Sequence, residues 1–185
     1  LQALQSSHPE LHVMDSNIEA SKEADIVIVA VKPWLIENVI NSMNLKSNQI
    51  LVSVAAGISF EQLEHYVGVK MPMFRVVPNT AIAYMESMTL VAGQNATEEQ
   101  DKMILDIFNE MGMALLIPES QIPATTALAS CGIAFVLKYI QAAMQAGIEM
   151  GIYPKQAQMM ITQTVKGAAE LLLNDPSTHP SVEID

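Results

Sequence analysis

The chain has 185 residues, half of them hydrophobic and 16% charged, which suits one large domain or two small ones with a buried core and excludes a disordered chain. Its 20 acidic and 9 basic residues give a formal net charge of −11, a field that repels nucleic acid and anionic membrane, so neither is expected as a partner. A single cysteine, Cys131, excludes an internal disulfide framework and suits a reducing cytoplasm.

The first residues lack the basic start and apolar core of a signal peptide. Leu1 to Leu11 reads as a sequence met in the middle of an element, with no capping signal ahead of its apolar residues. Leu11 to Met14 is a short strand candidate ending in Asp15-Ser-Asn17, and Glu19 to Glu23 fits a short polar helix. Ile26 to Val31 is an unbroken apolar run rich in β-branched residues and stopped by Lys32-Pro33. It predicts a strand buried on both faces, in the middle of a parallel sheet. Trp34 to Met43 then has helical spacing. Strand, abrupt turn and helix form the unit whose turn faces ligands in open α/β sheets.

Ile50 to Val54 predicts a second buried strand, ending in Ala55-Ala-Gly57. Ser59 with Gln62 is a capping-box pattern for a helix running to about Val67, with Gly68 to close it. Met73 to Val77 is a third strand, stopped by Pro78-Asn-Thr80. Met88–Ala92 and Met113–Ile117 are further strand candidates, and Thr97 caps a helix between them. The longest apolar run of this half falls far short of the ~18 residues of a membrane span.

After Pro118 no convincing strand remains. Pro123 suits a helix start, and Thr126 to Met150 is apolar nearly all round. Lys155 to Leu173 is a second amphipathic helix. Together they carry more apolar surface than they can mutually cover, which predicts a partner chain. The thirteen Met read as adaptable core filler.

In order and spacing, Ala30-Val-Lys-Pro33, Ala55-Ala-Gly57, Arg75 with Pro78-Asn-Thr80, and Ser130-Cys-Gly-Ile-Ala-Phe135 resemble pyrroline-5-carboxylate reductase. Gln163 to Gly167, Leu171 to Leu173 and His179-Pro180 extend the resemblance over nearly the whole chain. The resemblance implies a partial Rossmann-like α/β dinucleotide-binding domain over residues 1–119 and an all-α dimerisation and substrate domain over 120–185. It also implies NADP or NAD as cofactor, a homodimer or an oligomer of dimers, and reduction of 1-pyrroline-5-carboxylate to L-proline.

Three departures stand out. The sequence holds no GxGxxG turn and reads as starting after that first βαβ unit. It also ends before the Ser-Pro-Gly-Gly-Thr-Thr-like loop of the family, so it reads as the middle of a reductase. Ile133 and Cys131 stand where the family usually has Pro and Ser.

Hydride transfer to a C=N bond asks for alignment more than acid–base groups. No Ser-His-Asp or Cys-His arrangement is visible, and His8, His12, His65 and His179 lack metal-ligand spacing. By resemblance, Ala30, Val31, Lys32 and Pro33 lie along the cofactor, with Lys32 offering mainly backbone contacts. Asn17 then contacts the adenosine ribose, and Ala55, Ala56 and Gly57 pass beneath the nicotinamide. From its residues alone, Ala-Ala-Gly reads as an ordinary strand end, and it is the resemblance that assigns it to the cofactor.

Asn79 and Thr80 belong either to a plain turn or to an active-site rim. Ser130, Cys131 and Gly132 are expected to open the long helix, where free N–H groups can meet a carboxylate. Cys131 reads as a small packed residue rather than a nucleophile. The competing readings are a β-hydroxyacid or ketopantoate-type dehydrogenase, with Lys138 or Lys166 as its helical lysine, and a non-catalytic dimerisation module. The 185-residue chain by itself is expected to bind NADPH weakly or not at all.

Overall fold

The computed structural model describes residues 2–184, so the sequence reading at Leu1 lies outside the described residues. The chain divides into two compact units, one ending at Cys131 and the other starting at Gly132.

The first unit opens with two short helices, α1 (Gln2–Ser7) and α2 (Asn17–Lys22), the latter capped by Ser16 accepting from the Glu19 N–H. The β-branched runs then form strands β1 (Ile26–Val29), β2 (Ile50–Ser53) and β3 (Met73–Val77), paired in parallel. The intervening helices are α3 (Ile36–Asn41), preceded by a 3-10 turn over Pro33–Leu35, and α4 (Phe60–Val67). α4 has the predicted capping box between Ser59 and Gln62 and ends at Gly68, whose φ of 70° costs a glycine nothing.

A 3-10 turn over Thr80–Tyr84 reverses the chain, so β4 (Ser87–Gln94) lies antiparallel to β3. Helix α5 (Glu98–Asn109), with its own Thr97–Gln100 capping box, returns the chain to β5 (Gly112–Leu116), parallel to β4. Among the described residues the sheet order is β1-β2-β3-β4-β5.

Strand alternation sorts the core onto two faces. Val27, Val29, Leu51 and Met73 pack with Ile36, Ile40 and Leu63. Ile50, Val52, Phe74, Val76 and Val91 pack with Ile104 and Phe108 of α5. Each such side chain contributes about 1.5–3 kcal/mol by leaving water.

Two strand expectations need correction. Leu11 to Met14 forms no ladder, because no strand lies beside it among the described residues. β1 is an edge strand of the described sheet, not a central one: Val27 and Val29 are buried, but Ile28, on the opposite face, is 50% exposed.

After β5 the chain passes through a 3-10 turn (Glu119–Gln121), α6 (Ile122–Thr125) and a wide π-helical turn (Thr126–Ser130). Pro123 fits the first turn of α6, and the long helix opens at Gly132, both as expected, but the Cys131 N–H is already bonded to the Thr126 carbonyl, which corrects the expectation of a free N–H there.

The second unit is an antiparallel pair, α7 (Gly132–Glu149) and α8 (Pro154–Asn174), followed by α9 (Pro180–Ile184). α7 and α8 approach closely at Gly147, where a Cβ would be in van der Waals contact with the Ala157 methyl at 3.4 Å. Phe135, Leu137 and Tyr139 of α7 and Met159, Met160 and Leu171 of α8 are exposed. Residues 119–149 have a mean hydropathy of 1.5 over their most apolar window, so length and composition alone would let this stretch cross a membrane. A helix covered by a second protein chain has the same composition.

Candidate functional site

The C-terminal ends of β1 and β2 set the geometry. The two strands are in parallel register, Val29 opposite Ser53, so the segments leaving them emerge side by side. Ala30, Val31, Lys32, Pro33 and Leu35 form one wall of a cleft of about 530 Å³, and Val54, Ala55 and Ala56 form the other. Two motifs that are far apart in the sequence thus share one cavity. Lys32 is in extended conformation just before the Pro33 turn and makes no side-chain cap. Small side chains at 30, 55 and 56 keep the cleft open.

Asn17 sits at the start of α2, not at the end of a strand as the sequence suggested. It still reaches the same region: Asn17, Ala20 and Ser21 line a cavity of about 240 Å³ together with Ala30 and Val31. Gln49 fixes this wall. Its buried amide donates to the carbonyls of Ser21 (2.7 Å) and Ala24 (2.6 Å), and its Oε1 accepts from the Lys46 N–H at 2.8 Å.

Gly57 turns the chain with φ of 76°, after which Ser59 starts α4. Beneath this turn, Ala55, Ala56 and Gly57 meet Arg75, Val77, Ile122 and Thr126 around a small cavity of about 50 Å³. The Arg75 guanidinium donates to Glu119 Oε1 at 2.6 Å, and the same oxygen accepts from the Phe60 N–H at 2.8 Å. Sequence reasoning placed Arg75 in a motif but assigned it no task. The available signal was a lone cation inside an apolar strand, which requires a partner.

Asn79 accepts from the Ala81 N–H and so caps the 3-10 turn that Thr80 opens. Its own N–H donates to the Ser87 hydroxyl, which is bonded in turn to Thr89. Ser130 donates to the Pro78 carbonyl, which brings the 78–80 rim beside the π-helical turn. Cys131 is exposed, which corrects its reading as a packed residue: none of the two core clusters reaches it. Gly132 opens α7 in the second unit. Among the described residues no group of His, Cys, Asp or Glu is arranged to hold a metal ion.

Comparison with known proteins gives two family matches. Residues 119–185 match "Pyrroline-5-carboxylate reductase dimerisation", and residues 2–57 match "NADP oxidoreductase coenzyme F420-dependent". Pyrroline-5-carboxylate reductase 1 of Dictyostelium discoideum is 37% identical over 94% of this chain and 34% of its own length. The crystal structure of 1-pyrroline-5-carboxylate reductase from Streptococcus pyogenes superposes with a TM-score of 0.89 at 30% identity, covering 100% of this chain and 70% of that one. The Plasmodium falciparum pyrroline carboxylate reductase, solved with NADP bound, superposes with a TM-score of 0.81 at 27% identity, covering 92% of this chain and 71% of that one. The chain spans 34% of the length of the Dictyostelium relative and 60–64% of three other curated relatives.

Proposed function

The chain belongs to the pyrroline-5-carboxylate reductase family, and from that premise we propose that the full-length protein reduces 1-pyrroline-5-carboxylate to L-proline with NAD(P)H, the last step of proline biosynthesis. The observation that carries the reading is the cleft shared by Ala30–Pro33 and Val54–Ala56 at the C-terminal ends of two parallel strands. Ligands of open α/β sheets bind at such ends.

The residues fit one half of a dinucleotide. Small side chains at Ala55 and Ala56, and the absence of one at Gly57, leave room for a flat ring against the backbone. Asn17, on the same side of the sheet end as Ala30, is assigned the adenosine ribose. Held by Ala30–Pro33 and Ala55–Gly57, a reduced nicotinamide would supply the hydride for the imine carbon, with the imine nitrogen taking its proton from water, so that C=N would become C–N. The protein's task is to align and to exclude water. We assign Asn79, Thr80, Ser130, Cys131 and Gly132 to the substrate, with the rim held by the Ser130–Pro78 bond. The chain itself contains no glycine-rich turn for the pyrophosphate, so these residues make one wall of the cofactor site.

The family match over residues 119–185 supports a functional boundary within one residue of the expected 119/120 and pairing of two copies through α7 and α8. That pairing covers Phe135, Leu137, Tyr139 and Met159 with protein rather than lipid. A single exposed Cys131 fits a reducing compartment such as the cytoplasm.

The test is a substrate panel in one NADPH-oxidation assay on the full-length protein, alongside Lys138→Met and Lys166→Met. Turnover of 1-pyrroline-5-carboxylate with both variants unimpaired supports the reading. Turnover only of a β-oxo acid or ketopantoate, abolished by either variant, replaces it with the dehydrogenase alternative.

A further inference from the structure

We propose that Glu119 and Arg75 are positioning residues that clamp the Ala55–Phe60 segment, whose Ala55 and Ala56 line one wall of the cleft and serve as the floor beneath the nicotinamide ring, and so set the alignment of that ring; the proposal rests on the nicotinamide reading of that floor.

Arg75 lies in β3, in register between Ser53 of β2 and Ala92 of β4, directly beside the strand that leads into Ala55-Ala-Gly57. Its side chain is 12% exposed, so the guanidinium has left most of its water and needs a partner. Glu119 is that partner, at 2.6 Å. Glu119 also reaches past Arg75 to the first N–H of α4, at Phe60. One carboxylate oxygen therefore ties the strand next to the floor to the helix after it, and the Arg75 guanidinium lies 5.9 Å from the centre of the Phe60 ring.

Ile58 and Phe60 of this segment are buried in the core and Ala55 packs against it, so its apolar side chains are held while polar anchors on its first residues are few. Beyond the Ser53 hydroxyl, which accepts from the Ala55 N–H at 3.3 Å, Ala55, Ala56 and Gly57 have no side chain able to anchor them. Gly57 is in the left-handed region, with nothing within 4 Å of its missing Cβ. The β2–β3 pairing holds the Ala55 end of the floor, and the Arg75–Glu119–Phe60 contacts tie its Phe60 end to β3.

The test uses the full-length protein with Glu119→Ala, Glu119→Gln, Arg75→Met and Arg75→Lys. Glu119→Ala removes both contacts, whereas Glu119→Gln keeps an acceptor for the Phe60 N–H, and Arg75→Lys keeps the charge. Expected are a fall of about tenfold or more in kcat for Glu119→Ala and Arg75→Met, little change in KM for NADPH, and partial rescue in the two conservative variants. Amide hydrogen exchange should rise across residues 55–60 in Glu119→Ala. Folded variants with wild-type kcat and unchanged exchange at 55–60 would overturn the proposal, as would a uniform loss of thermal stability with kcat intact. An inactive wild type would instead remove the reductase reading, while the exchange measurement still decides whether the clamp exists.

Discussion

The Ser130 hydroxyl donates to the Pro78 carbonyl at 3.3 Å across 52 residues of sequence. This contact joins the turn after β3 to the π-helical turn that follows α6, and so closes the rim assigned to substrate. Ser130→Ala should cost about 0.5–1.5 kcal/mol, a fall of roughly 1–6 °C in melting temperature. If the rim faces substrate, KM for 1-pyrroline-5-carboxylate should rise more than KM for NADPH. Equal changes in both would place Ser130 in packing alone.

Gln49 is the hinge pin of the Asn17 wall. The residue is 3% exposed, and its amide is shared between the carbonyls of Ser21 and Ala24. Gln49→Leu leaves those carbonyls without their donor at a cost of about 1–3 kcal/mol. Urea denaturation should show the loss. Dinucleotide affinity of the full-length protein should fall several-fold as Asn17 loses its fixed place.

Much of the α/β unit was legible in the sequence because its signals are local. The capping boxes at Ser59–Gln62 and Thr97–Gln100 and the left-handed Gly68 mark helix ends through bonds spanning a few residues. The strands β2 and β3 announce themselves by β-branched runs. What escaped depends on distant partners. Leu11 to Met14 has strand composition but no neighbour among the described residues, and Ile28 is exposed although its run is as apolar as that of β2. The free N–H expected at Cys131 failed because the π-helical turn ahead of Gly132 already engages it. The shared cleft of Ala30–Pro33 and Ala55–Ala56 follows from parallel register, which composition suggests and only pairing fixes. The Arg75–Glu119 pair was hidden because its members are 44 residues apart.

Gly112 tests the join between β4 and β5. Its φ is 133°, and a Cβ there would lie 2.2 Å from the Ser87 carbonyl oxygen and 2.4 Å from the Ser87 nitrogen. Gly112→Ala must push two strands apart, because the obstacle is backbone and not a movable side chain. A loss of about 2–4 kcal/mol is expected in urea unfolding. A variant as stable as the parent would mean that this register is not the native one.

Asp175, after α8, supplies a pH-dependent contact. The hydroxyls of Ser177 and Thr178, then the Ser177 N–H, donate to its carboxylate and hold its pKa below the ordinary 3.8. Because the folded pKa is depressed, the ionised group favours the ordered turn above the unfolded pKa, and this contribution is lost as pH falls through the folded value. The Ser177 amide should therefore lose exchange protection only in acid, below about 3.8. Asp175→Asn should exchange faster at neutral pH, with a weakened dependence on acid.

The central claim is the chemistry of the whole protein, and product formation tests it most directly. Full-length protein supplied with NADPH and 1-pyrroline-5-carboxylate should yield L-proline, measured by chromatography, in one-to-one ratio with NADPH consumed. NADPH consumed without proline, or no consumption by a protein shown to bind NADPH, would contradict the account.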